Sequence, residues 1–191
     1  MKKFILTVCL GLGIVLGANA QRVGTPQSSA DVGLAPLEQG NWLVGGSLAG
    51  IGYSFEGKAF NLGVQPSAGY FIKDGLAVGA EALLSFTAVK DMDNEWGYGI
   101  APFVRYYFPG TASATGRFFG HGNVGIAGSS VGSDVALNLG AKLGYAHFVT
   151  QSVALEATVG YNYNKANINT SGGASGLGVG LGFQIYLPSK K

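Results

Sequence analysis

EWGYGIAPFVRYYF, residues 95–108, carries two faces of opposite character. Side chains along a strand alternate between sides, so Trp96, Tyr98, Ile100, Pro102, Val104, Tyr106 and Phe108 fall on one face. Glu95, Gly97, Gly99, Ala101, Phe103, Arg105 and Tyr107 fall on the other. The first face is wholly apolar or aromatic, with aromatics at both ends. The second mixes small residues with an arginine. A strand of this kind suits a closed sheet whose apolar side meets lipid and whose mixed side meets an enclosed interior.

The same alternation recurs on both sides of this stretch. Eight segments of barrel-strand length are expected, at about 42–55, 59–72, 76–89, 95–108, 117–130, 134–148, 152–165 and 175–187. In the sixth, Val135, Leu137, Leu139, Ala141, Leu143 and Tyr145 oppose Asn138 and Lys142. In the seventh, Val153, Leu155, Ala157, Val159, Tyr161 and Tyr163 oppose Glu156, Thr158, Asn162 and Asn164. The last sets Leu177, Val179, Leu181, Phe183, Ile185 and Leu187 against a row of glycines, Gln184 and Tyr186. Crossing a bilayer takes only about 9 to 11 tilted residues, so the strands are expected to project beyond it. An even number of antiparallel strands closes the sheet and pairs every backbone group, as hydrocarbon requires. Pro66 and Pro102 run against this, since a strand proline is expected only at a bulge or near a rim.

Composition narrows the class in the same direction. Charged residues make up 12% of the chain, against about 25% in a typical soluble domain. The mean hydropathy is positive, yet after the N-terminus no apolar run is long enough for a membrane helix. The 33 glycines speak against helices, each costing about 1 kcal/mol relative to alanine in a helix interior.

The opening MKKFILTVCLGLGIVLGANA reads as a cleaved export signal over residues 1–20. Lys2 and Lys3 form its basic start, Phe4 to Leu16 its apolar core and Ala18-Asn19-Ala20 its cleavage site. Cys9, the single cysteine, lies inside that core, so neither disulfides nor a cysteine metal site is expected afterwards. Without Lys2 and Lys3 the remaining basic residues balance the 10 acidic ones, and no basic patch for nucleic acid survives. Residues 21–40, with Pro26 and Pro36 and no sustained period, read as a flexible periplasmic leader, with a tail that plugs the barrel or holds a partner as the alternative. Residues 41–188 then form one barrel domain and 189–191 a short tail.

Connections divide into two groups. Those at 73–75 and 149–151 are tight, whereas 90–95, 129–134 and 165–174 are polar loops expected on the outer side. The run at 109–116 and the short connection at 56–58 depart from that asymmetry.

These features together resemble the small bacterial outer-membrane β-barrel proteins, the group that includes the OmpA transmembrane domain and OmpX. The resemblance rests on the signal, on FNLGVQPSAGYFI followed by the tight KDGLAVGAEALLSF return, and on the final GLGVGLGFQIYL. Gly182, Ile185 and Leu187 are spaced like the signal read by the barrel-assembly machinery, although Pro188-Ser189-Lys190-Lys191 follows instead of a terminal aromatic. It implies an all-β, eight-stranded antiparallel transmembrane barrel, exported to a bacterial outer membrane and surrounded by its lipid. Trp96, Tyr98, Ile100, Val104, Leu137, Leu139, Val159, Tyr161, Val179, Leu181 and Phe183 are the expected lipid-facing residues.

Eight strands enclose an interior that side chains can fill. Glu81, Arg105, His121, Lys142 and Glu156 lie at broadly similar depth on strands three to seven and are expected to form a lumen charge network. Pairing between neighbouring strands would join Glu81 to Arg105 and Lys142 to Glu156, with His121 between. Such a network is either an inert structural set or a gate whose partner exchange opens a narrow path. The glycines of strands one and eight are expected to make room for Arg105, Phe103 and Tyr107; a lipid-side groove is the alternative.

No catalytic, cofactor or metal site is expected. Only His121 and His147 are available, on different strands, and neither falls in a nucleophile–base–acid pattern or at metal-ligand spacing. The acidic run Lys90 to Glu95 reads as a solvated loop, and loop 165–174, containing Asn-Ile-Asn-Thr-Ser-Gly-Gly, as the place for a surface ligand. The reading is therefore a non-enzymatic outer-membrane barrel with a structural, membrane-stabilising or surface-contact role. A narrow ion or small-solute channel is the alternative and a lipid-modifying enzyme the third; a soluble β-sandwich or lipocalin-like barrel is the alternative fold.

Overall fold

The structure, a computed structural model, describes residues 34–56, 58–90, 92–109, 115–169 and 172–189. The expected export signal lies outside the described residues, as does most of the leader.

Eight antiparallel strands close into one barrel in which each strand pairs with its sequence neighbours and β8 returns to β1. They are β1 (Trp42–Ser54), β2 (Ala59–Lys73), β3 (Leu76–Val89), β4 (Glu95–Tyr107), β5 (Gly116–Ser129), β6 (Gly132–Phe148), β7 (Val153–Lys165) and β8 (Ala174–Leu187). Each strand thereby gains a neighbour on both sides, which removes the open edges of an isolated sheet except where β1 and β8 part beyond the Leu48–Leu181 pair. The alternation in the sequence is the alternation in space. On β4, for example, Trp96, Tyr98, Ile100, Val104 and Tyr106 are exposed, while Ala101, Phe103, Arg105 and Tyr107 are buried in the lumen.

Pro66 and Pro102 sit in the middle of their strands, contrary to the expectation of a bulge or rim. Pro66 pairs with Gly46 of β1 and Pro102 with Ala80 of β3, both without a register shift. The loss falls on one side of each. The β2–β3 ladder passes from Val64↔Leu84 to Ser67↔Glu81, and the β4–β5 ladder from Ile100↔Ile126 to Phe103↔Asn123, in unbroken register. One missing N–H interrupts one rung and leaves the opposite neighbour in place.

Connection length does not sort the two ends of the barrel. The β5–β6 connection, expected as a polar loop over 129–134, is a two-residue turn at Ser130 and Val131. The two ends differ in what closes them. At the end where β1 begins and β8 finishes, the last residues of the expected flexible leader are packed onto the barrel. Ala35–Leu37 forms a 3₁₀ turn whose Pro36 and Leu37 are buried. The Gly75 N–H donates to Leu37 O at 2.8 Å and the Gln39 N–H to Asp74 Oδ1 at 2.8 Å. Asn41 Nδ2 donates to Ala35 O, and Asn41 Oδ1 accepts from the Ser189 N–H, which ties the two described chain ends together. Leucine and proline in this stretch supply what a purely polar leader lacks, an apolar surface to bury.

Candidate functional site

The lumen is divided into a packed half and an open half. The half next to the 3₁₀ turn is filled by Leu43, Phe71, Phe103, Tyr107, Phe119, Phe148 and Tyr186, with Leu37 capping them from below. Phe71 and Tyr186 stack at 6.3 Å between centroids, and Phe148 meets Tyr186 at 5.0 Å. Room for two of these rings comes from glycines on β2, β3 and β6, not from those of β1 and β8. A side chain at Gly79 would strike the Phe103 ring and the Ala68 carbonyl, and one at Gly144 the Phe119 ring. Large inward rings are accommodated by what lies beside them on neighbouring strands; the β1 and β8 glycines have other neighbours, with Gly45 against Gln184 and Gly182 against the Gly46 carbonyl.

The charged network lies on top of this packing. Arg105, at the middle of it, donates from Nη1 to Glu156 Oε1 at 2.8 Å and to Oε2 at 3.0 Å. The same nitrogen reaches Tyr107 Oη at 3.3 Å, and Tyr107 Oη lies 2.9 Å from Tyr186 Oη. The guanidinium carbon stands 4.4 Å from the centroid of Phe119, a cation–π contact in a water-poor setting. Arg105 Nε donates to His121 Nδ1 at 3.3 Å, which requires that nitrogen to be unprotonated. The imidazole proton then sits on Nε2, facing Glu81 Oε2 at 3.5 Å, while Phe103 stacks on the ring at 4.9 Å. Glu81 Oε1 accepts from Asn123 Nδ2. Lys142 Nζ donates to Gln65 Oε1 at 3.4 Å.

All five expected network residues face the lumen, but their pairing differs from expectation. Arg105 joins Glu156 and not Glu81; Glu81 joins His121 and Asn123; Lys142 joins Gln65 and not Glu156. Strand tilt is the reason. The hydrogen-bonded row through Arg105 runs to His121, then Lys142, then Gly160, climbing toward the open end as it goes. Glu156 lies four residues before Gly160 on β7, which cancels that climb and brings it level with Arg105 across the lumen. Counted from the strand ends at the packed rim, Arg105 (two residues from Tyr107) and Glu156 (three from Val153) are level, while Glu81, His121 and Lys142 stand five or six residues in, so the five are not at one depth and ladder neighbours are not the partners. Tyr107, Tyr186, Asn123 and Gln65 are network members that a search for charged residues passes over, although each has the inward parity of its strand. Arg117 is also buried, donating from Nη1 to Gly116 O at 2.7 Å.

Above the network, the open half is a polar cup of about 690 Å³. Gln65, Asn123, Asn138, Lys142, Thr158 and Asn162 are among its lining residues. Asn164 Nδ2 donates to Asn138 Oδ1 at 2.7 Å near its mouth. Beside it, Ile168 N–H donates to Val135 O and Asn167 Nδ2 to Asp134 Oδ1, so the described part of loop 165–174 is tied to the start of β6. Among the described residues no group of three or more His, Cys, Asp or Glu side chains could hold a metal ion. His147 lies far from His121 along the strands, opposite Leu155 and beside Tyr145.

No protein-family model matches the chain, and neither does any curated protein. Solved structures do. Neisserial surface protein A is 20% identical, with 76% of this chain and 94% of that one covered at a TM-score of 0.53. The N-terminal β-barrel domain of Pseudomonas aeruginosa OprF is 18% identical over 78% of this chain and 98% of that domain, at a TM-score of 0.45. The chain has the fold of Neisserial surface protein A, a closed eight-stranded antiparallel β-barrel.

Proposed function

We propose that this protein is an integral outer-membrane β-barrel with a non-enzymatic role in envelope structure or surface contact. The observation that carries it is the inversion of an ordinary protein. Large apolar side chains are exposed on all eight strands, including Val44, Tyr70, Leu84, Ile100, Val124, Leu139, Val159 and Leu181, while the mid-strand ionised groups Glu81, Arg105 and Glu156 are buried. In water such a belt would drive aggregation; in a bilayer it is the required surface. Aromatics border it, with Trp42 against Tyr70 at one rim and Phe86 against Trp96 at the other. The packed end, which holds the chain ends, faces the periplasm in this reading, and the cup faces outward. Export through residues 1–20, insertion by the barrel-assembly machinery and a surface ligand at loop 165–174 belong to the same proposal. Fractionation together with heat-modifiable migration on a detergent gel tests it: a band in the outer-membrane fraction that shifts on boiling is expected. Protein that stays dissolved without detergent would overturn it.

The channel reading draws on the polar cup, which supplies half of a path. The other half is closed by Phe71, Tyr107, Phe119, Phe148 and Tyr186, so conduction would require the aromatic packing itself to move.

A further inference from the structure

Closure of the barrel is incomplete along one seam. Among the described residues, pairing between β1 and β8 runs from Trp42↔Leu187 to Leu48↔Leu181 and goes no further. Yet β1 continues to Ser54, paired with β2, and β8 begins at Ala174, paired with β7. Two neighbouring strands thus part while each keeps its other partner. Exposure agrees with this: Leu177 and Val179 are 83% and 85% exposed, against 53% for Val159 and 55% for Ile100. A side chain built at Gly50, Gly52 or Gly176 would meet nothing within 4 Å.

The residues explain the gap. A bulge between Leu48 and Gly50 bends β1 where the pairing stops. Beyond it the lumen side of both strands is rich in glycine, at 50 and 52 on β1 and at 176, 178 and 180 on β8, which leaves little side-chain bulk to fill the opening.

Its position gives it a use. Trp42 marks the rim of the belt at the packed end, and crossing hydrocarbon takes about 9 to 11 residues, so a gap that starts after Leu48 opens within the membrane. Strand edges do not face hydrocarbon bare; backbone of this kind is tolerated where it borders a polar cavity. The cup is that cavity, since Leu48, Gly178, Val179 and Gly180 line it together with Gln65, Asn123, Lys142 and Asn162. Outside, Leu48, Ile51, Leu177 and Val179 give the opening apolar lips. A polar chamber that opens sideways between apolar lips matches one kind of molecule, a polar head carrying one long chain. The head has a sign as well: the carboxylates that line the cup, Glu95 and Asp134, stand at the loop ends of β4 and β6, whereas deeper in it the Lys142 ammonium donates to the Gln65 amide oxygen and among the described residues makes no ion pair.

We propose that the β1–β8 gap is a lateral portal for a single-chain amphiphile with an anionic head. The head lies in the cup near Lys142, Gln65, Asn123 and Asn162, and the alkyl chain passes between Leu48 and Val179 into the outer leaflet. This inference rests on the membrane reading above and adds a ligand site to it.

The test uses the chain from residue 21 folded into phosphatidylcholine nanodiscs, with two photoactivatable probes carrying a diazirine in the alkyl chain: a palmitate and a lysophosphatidic acid. Labelled positions are mapped by mass spectrometry, and folding of every variant is checked by heat-modifiable migration. Label at 48–54 and 174–181 is expected to exceed label at Ile100 and Val159 several-fold. Lys142→Gln, and separately Gly52→Trp with Gly176→Trp, which place rings in the open space, should each remove most of that excess and leave Ile100 unchanged. Excess label from palmitate alone assigns a carboxylate head, from the lysolipid alone a phosphate head, and either supports the portal. Even labelling around the belt overturns the portal and leaves the membrane reading standing, whereas no labelling anywhere overturns both. Seam label indifferent to Lys142→Gln, or chain-to-chain crosslinks at Leu177 and Val179 indicating a second copy on the free edges, also overturns it.

Discussion

Arg105 on β4 and Glu156 on β7 meet across the lumen, with one guanidinium nitrogen 2.8 and 3.0 Å from the two carboxylate oxygens. Both are buried, so each is the other's main charge partner and neither has water to fall back on. Removing one leaves the other stranded. We expect Arg105→Ala or Glu156→Ala to lower unfolding stability in lipid vesicles by about 3–5 kcal/mol, and Arg105→Met with Glu156→Leu to recover much of it. Urea titration followed by tryptophan fluorescence checks this.

The pairing itself is open to a double-mutant cycle. Arg105→Ala and Glu156→Ala should be strongly non-additive. Lys142→Ala and Glu156→Ala should add to within about 0.5 kcal/mol, because Lys142 turns to Gln65. Coupling of the second pair at the level of the first would restore the neighbouring-strand arrangement read from the sequence.

A gate made by the charges alone predicts conductance when a charge is removed. The aromatic packing beneath them predicts none, since Phe71, Phe119, Phe148 and Tyr186 remain in place. In planar bilayers, Arg105→Ala and Glu81→Ala should therefore be as silent as the unaltered protein. Discrete steps in either variant would revive the channel.

The 3₁₀ turn should contribute measurably to stability although it lies outside the barrel sheet. Leu37 is 3% exposed and packs with the aromatic end of the lumen. Leu37→Ala is expected to cost about 2–3 kcal/mol and to speed proteolysis of the preceding residues. An unchanged urea midpoint would show that the turn merely rests on the barrel.

Single cysteines at Tyr98 and Leu139, both exposed and outward, should resist a water-soluble maleimide in vesicles and react readily with a lipid-soluble one. Equal reaction with the water-soluble reagent would remove the lipid belt.

Parity was legible in the sequence because it is local. Two-residue alternation assigns Phe103, Arg105 and Tyr107 to one side and Ile100, Val104 and Tyr106 to the other without any knowledge of neighbours, and each strand was bounded to within a residue or two by its turns. With charge so sparse and glycine so frequent, that alternation leaves a closed barrel as the consistent architecture.

What the tertiary structure decided is everything that depends on how strands slide past one another. Tilt sets residues that are neighbours across the ladder at different heights, so Arg105 takes Glu156 across the lumen and Lys142 takes Gln65. The bulge after Leu48 is one residue in the chain, yet it sets where β1 and β8 separate. Alternation specifies which way a side chain points; register specifies what it meets, and register is fixed only when the last strand finds the first.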